Sequence, residues 1–213
     1  RRSLLTIAIC TPLLGTFAPA PAQVVPGEVA IYTGVTQWIS KQAADEQAQI
    51  CVDKLTNLLV PHTWYQNETD VDALAEWVLN ATDNGKLDVL VLYGDFPPSI
   101  YPQGNAMPDG SPAELFIEST DGDAIINHAD YMFWGLAARN MEGGLQNLMD
   151  ITGIVMWDDN TSVAVTDRGK SIAPSLPCFS SDRPFHVDQL AGDWLVEEAL
   201  AQNAAGTRAD PII

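Results

Sequence analysis

The chain has 213 residues, 46% of them hydrophobic, and carries a formal net charge of −18 from 28 acidic and 10 basic side chains. That length and apolar content suffice for one sizeable core and exclude a disordered chain or a repeat array. The acidity argues against nucleic acid or an anionic membrane as partner, because both demand a positive face, and is read as a solvation feature.

Arg1 and Arg2 lead into the apolar run LLTIAICTPLLGTFA, and APA at 20–22 supplies the small residues of a cleavage site before Gln23. Residues 1–22 are therefore expected to be a signal peptide, and 23–213 a single α/β domain that is secreted or periplasmic and free of the membrane after cleavage. A retained anchor is the rival reading, although the run is short for a span and interrupted by Pro and Gly. Without an initial Met, the start reads as clipped. Cys51 and Cys178 would then share a compartment that permits a bridge, but Cys51 falls on an apolar helix face, which favours a small buried hydrophobe. No Cys/His spacing resembles a zinc site, and no cofactor is expected.

EVAIYT (28–33) reads as a buried strand closing on Gly34. From Thr36 to Leu59 the apolar positions recur at helical spacing, and VPHTWYQ (60–66) follows as a strand. Thr69 and Asp72 form a capping pattern for a second helix that stops at Gly85. LDVLVLYG (87–94) is apolar almost throughout, the mark of a central parallel strand covered on both faces. The long segment 95–110 holds four prolines and no periodicity, as functional loops do. It ends in SPAE (111–114), a capping box with Pro at the first helical position. AIIN (124–127) is the next strand, GGLQNLMD (143–150) a helix, GIVMW (153–157) a buried strand and SVAVT (162–166) a further short one. WLVEEALAQ (194–202) fits helix or strand, and strand is favoured because NAAGT (203–207) is turn chemistry and DPII reads as the return arm of a hairpin, so the domain is expected to be truncated at its C-terminus.

This alternation predicts a three-layer sandwich with a mostly parallel, flavodoxin-like central sheet and a C-terminal hairpin. Ligands bind such sheets at the carboxyl ends of the strands, which here offer Thr33 and Gly34, Tyr65 and Gln66, Gly94 and Asp95, Asn127 to Asp130, and Trp157 to Asp159. The candidate catalytic residues are His128, Asp130 and Asp95: an imidazole near carboxylates can act as a general base near neutral pH. Gly94, Asn127, Tyr131 and Tyr101 are the candidate ligand-binding residues, since aromatic faces suit sugar rings. The plainer reading makes the histidine a strand-end hydrogen bonder and the aromatics core residues. WDDN (157–160) and DGD (121–123) read as acidic turns. Asn67, Asn80 and Asn160 head N-x-[ST] triplets, which also arise by chance.

DVLVLYGDF, then a helix, then FIESTDGDAIINHADY resembles the central part of the class I glutamine amidotransferase-like superfamily, particularly its trehalose-utilisation-type branch. The C-terminal RPFHVDQLAGDW and ALAQNAAGTRADPII are similar to the same branch. Where that superfamily places a nucleophilic Cys in a G-x-C-x-G elbow, this chain reads NHADY, and neither Cys51 nor Cys178 sits at an elbow. The resemblance thus implies an exported domain without the thiol nucleophile that binds or processes a small polar ligand such as a carbohydrate. The alternatives are a non-catalytic structural or interaction module of a larger exported protein, and a metal-assisted hydrolase using His128, for which His62 and His186 are poorly placed second ligands.

Overall fold

A computed structural model describes residues 26–36, 39–104, 110–127, 140–155 and 160–213. The chain is mixed α/β. Strands β1 (Pro26–Tyr32), β2 (His62–Tyr65), β3 (Leu87–Leu92) and β4 (Ala124–Asn127) form a parallel sheet in the order β2-β1-β3-β4. The register pairs Ile31 with Trp64 on one side and with Val91 on the other, so β1 is bonded along both edges.

The connections explain the layers. Helix α1 (Lys41–Asn57) carries the chain from β1 outward to β2, whereas α2 (Val71–Ala81) carries it from β2 back across β1 to β3. Crossovers of one hand running in opposite directions must lie on opposite faces of the sheet. Accordingly Val29, Ile31, Val91 and Tyr93 pack with Ala44 and Ala48 of α1, while Ala30, Tyr32, Leu90 and Leu92 pack with Leu74 and Val78 of α2. Helices α3 (Pro112–Ile117) and α4 (Glu142–Leu148) join the α2 side through Phe116, Leu145 and Leu148. Nothing described from α1 covers β4, and Ile126 on that face is left 54% exposed.

Local chemistry sets the helix ends. Ser40 caps α1 by accepting the Ala43 N–H at 3.2 Å, so the helix begins later than its apolar spacing suggested. The expected Thr69/Asp72 cap of α2 is replaced one turn earlier: Asp70 accepts the Asn67 N–H at 2.8 Å across a 3-10 turn, Glu68–Asp70. The Ser111/Glu114 box is present as predicted, and the Glu114 carboxylate also accepts the Gly110 N–H at 2.8 Å.

The second half departs from the expectation of one mostly parallel sheet. Strands β5 (Thr161–Val165), β6 (Phe179–Ser181), β7 (Phe185–His186), β8 (Ala201–Gln202) and β9 (Arg208–Ala209) form a separate antiparallel sheet in the order β6-β5-β8-β9-β7. Ile151 to Val155 form no strand; Ile154 is buried in the core while the Val155 N–H is taken by Gln189 Oε1 at 3.0 Å. Of the predicted strand 194–202 only Ala201–Gln202 pairs, although the 203–207 turn does close a hairpin, β8 to β9, and Ile212 bridges back to Ala199. Helix α5 (Asp167–Ile172) was not anticipated; a Cβ on its Gly169 would stand 2.0 Å from the Leu200 carbonyl, so glycine is what lets it reach the sheet. Phe185, Leu190 and Trp194 lean on the first core and join the two halves. Cys51 is half-buried and Cys178 exposed, and both are free thiols.

Leu90 lies at the centre of the larger core with no exposure, whereas Leu58 at the end of α1 is 72% exposed. Leu90→Ala is expected to lower the urea unfolding free energy by about 2–5 kcal/mol, and Leu58→Ala to change it by less than about 0.5 kcal/mol.

Candidate functional site

The carboxyl edge of the parallel sheet is where chemistry-bearing residues meet. Beyond β1 the chain continues through Thr33, Gly34 and Val35, and beyond β3 through Tyr93, Gly94 and Asp95. The exits run close together: a Cβ on Gly94 would lie 2.7 Å from the Val35 carbonyl beyond β1, and one on Gly34 would lie 2.4 Å from the Asn67 carbonyl beyond β2. The glycines after these strands therefore serve backbone proximity, which is a sufficient reason for their type.

Thr33 is fully buried and ties the edge to α1. Its hydroxyl donates to Asp45 Oδ1 at 2.7 Å and accepts the Trp64 indole N–H at 3.0 Å. Burial works to raise the Asp45 carboxyl, but bonds from Lys41 and Thr33 outweigh it and hold the group below the usual carboxylate range.

On the α2 face a cavity of about 170 Å³ opens between the two exits, lined by Tyr32, Val35, Glu68, Val71, Asp95, Pro97 and Pro98. Ser99 fixes one wall by donating to the Val71 carbonyl at 2.8 Å. Asp95 is 3% exposed. Its neighbour Gly94 offers a carbonyl to Asn127 Nδ2 at 2.9 Å, which joins the end of β4 to the same edge. That bond fixes the amide orientation, because a carbonyl can only accept; Asn127 Oδ1 is then buried without a donor among the described residues.

Of the predicted site residues, Gly94, Asp95 and Asn127 are brought together. Tyr101 is not part of the cavity wall. It is fully buried, stacks on Phe96 with centroids 5.6 Å apart, donates to the Gly144 carbonyl at 3.4 Å and receives Asn147 Nδ2 at 3.3 Å, so it is a core residue linking the 95–104 loop to α4. Tyr93 is also buried, on the α1 face. His128, Asp130 and Tyr131, like Trp157 to Asp159, lie outside the described residues. His62 sits at the start of β2, away from this edge, with Nδ1 bonded to the Val60 carbonyl at 2.8 Å, and His186 is buried in the second sheet. The sequence reading missed Tyr32, Glu68, Pro97 and Pro98. Tyr32 alternates correctly to face α2, and the two prolines lie two and three residues after Asp95, so strand parity and closeness in sequence would have found them.

The lining is chemically simple. Two carboxylates accept hydrogen bonds, and the aromatic, valine and proline surfaces form apolar walls. Among the described residues the lining holds no thiol and no serine or threonine hydroxyl. No family model, curated protein or solved structure matches this chain.

Asn127→Ala removes the Gly94 tie and should cost about 1 kcal/mol in chemical denaturation. Gly94→Ala should cost more, about 1–3 kcal/mol, since its new methyl meets a backbone carbonyl that cannot swing aside.

Proposed function

We propose that this chain is an exported, flavodoxin-like domain of the amidotransferase-like type that has no thiol nucleophile and binds a small polar ligand, a carbohydrate in the first instance. The observation that carries the reading is the 170 Å³ cavity between the exits of β1 and β3, with carboxylates of Glu68 and Asp95 in its wall. Neighbouring strands lead away from β1 in opposite directions, which is where open α/β sheets take their ligands. Drug-sized ligands fill roughly 300 Å³ or more, so this cavity suits a single sugar ring or something smaller. Carboxylates accept hydrogen bonds from hydroxyl groups, and the faces of Tyr32 and the two prolines complement the C–H surface of a ring. The resemblance of DVLVLYGDF (88–96) and FIESTDGDAIINHADY (116–131) to the trehalose-utilisation-type branch points the same way. A processing activity would draw on His128, Asp130 and Asp95, with His128 as the base.

Calorimetric titration with a panel of monosaccharides and their acids tests the proposal. A neutral hexose should bind with a dissociation constant of roughly millimolar order, as expected for about a dozen heavy atoms. Glu68→Gln and Asp95→Asn should each weaken binding about tenfold. Absence of heat with every sugar, together with unmoved amide resonances at Tyr32 and Asp95, would remove the carbohydrate reading.

A further inference from the structure

Where the second half of the chain leans on α3 and α4 there is another hollow, of about 260 Å³, which shares no lining residue with the cavity at the carboxyl edge. Its floor is the buried end of α4, Leu145, Leu148 and Met149. Ile117 at the end of α3 and Ile125 in β4 make one wall, and Phe185, Leu190 and Trp194 from the second half make the other. Leu195 and Val196 form the lip together with residues 212 and 213. The lip is pinned in place: Ile212 bridges to Ala199, and the Glu198 carbonyl accepts the Ile213 N–H at 2.7 Å.

Among the described residues every side chain of this lining is aliphatic, thioether or aromatic, and the Trp194 indole N–H is the one strong hydrogen-bonding group they carry. Protein interiors are close-packed, so a void of this size deprives its walls of dispersion contacts. Water does not repair the loss, because it needs about two to four polar partners and these side chains offer one. An apolar occupant restores the contacts.

We propose that this hollow binds the medium-length alkyl chain of an uncharged small molecule, floor to lip, between α4 and Trp194. The size follows from volume. An apolar cavity of about 150 Å³ accommodates benzene, so one of 260 Å³ takes a chain of roughly eight carbons.

The absence of charge follows from the surroundings. Among the described residues the lining has no basic side chain to hold a carboxylate, and the exposed Asp193 and Glu197 flank the segment 194–196 that forms part of the wall and lip. On a chain of net charge −18 a fatty-acid head group at this lip meets like charge. A protein partner fits less well. The lip exposes Leu195, at 74%, and Ile213, at 60%, and two side chains fall short of the surface of about 800 Å² per partner that a stable interface covers.

Titration of the whole chain with straight-chain alcohols, followed by tryptophan emission and calorimetry, tests the site. 1-Octanol should bind with a dissociation constant of roughly 0.1–1 mM, as expected for nine heavy atoms. From 1-hexanol to 1-octanol each added methylene should tighten binding about fourfold, and the gain should stop near 1-decanol, where the hollow is full. Octanoate at pH 7 should bind at least about tenfold more weakly than 1-octanol. Trp194→Phe should remove most of the emission change. Leu195→Ser should weaken 1-octanol about fivefold, whereas Leu58→Ser, at a comparably exposed leucine remote from the hollow, should leave it unchanged. The wild-type series depends on no variant folding. No response to 1-octanol, equal affinity for octanoate, or an emission change that survives Trp194→Phe intact would overturn the proposal. So would a dimer in sedimentation that Leu195→Ser abolishes and 1-octanol does not dissociate, since a second copy would then be what covers the hollow.

Discussion

The position of β1 governs this molecule. It is hydrogen-bonded to β2 on one edge and β3 on the other, and it is apolar on both faces, so it can exist only inside a sheet with helices above and below. Parallel neighbours cannot be joined by tight turns, and each strand must be followed by a crossover. Every exit then falls on the same edge. Because the crossovers to β2 and to β3 run in opposite directions from this strand, the exits part and leave a hollow between them.

That edge and its opposite use polar groups in different ways. At the carboxyl edge a side chain at Gly34 would meet the chain leaving β2 and one at Gly94 the chain leaving β1, and Asp95 beyond β3 and Glu68 beyond β2 stand in the wall of a cavity. At the amino edge Asp88 and Asp123 are turned inward against N–H groups of the preceding strand. One edge presents its carboxylates to a hollow while the other uses them to replace ladder bonds that the strands themselves do not make. The same residue type thereby lines a hollow in one place and is a structural tie in the other.

The first half of this arrangement was legible in the sequence because local signals and the final contacts agree. The run 87–94 is apolar because both faces of β3 are covered, and Ser111 with Glu114 announces α3 through bonds that need no distant partner. The second half was not legible for a physical reason: an apolar run demands burial but does not demand a ladder. Ile154 satisfies its burial against the core with no strand pairing, and 194–200 mixes exposed Leu195 with half-buried Trp194 around turns. Strands as short as Phe185–His186 carry no periodicity to read. For the site, proximity of Asp95 and Asn127 followed from strand parity and neighbouring order, whereas Tyr101 was misplaced because a loop aromatic gives no sign of whether it faces a hollow or the core.

The account stands on the hollow between the β1 and β3 exits being the place where a ligand sits. Diffraction from crystals soaked in a monosaccharide tests this most directly. The account predicts sugar density bounded by Tyr32, Glu68 and Asp95, with hydroxyl groups within hydrogen-bonding distance of the two carboxylates; density at another surface, with this hollow holding only solvent, would contradict it.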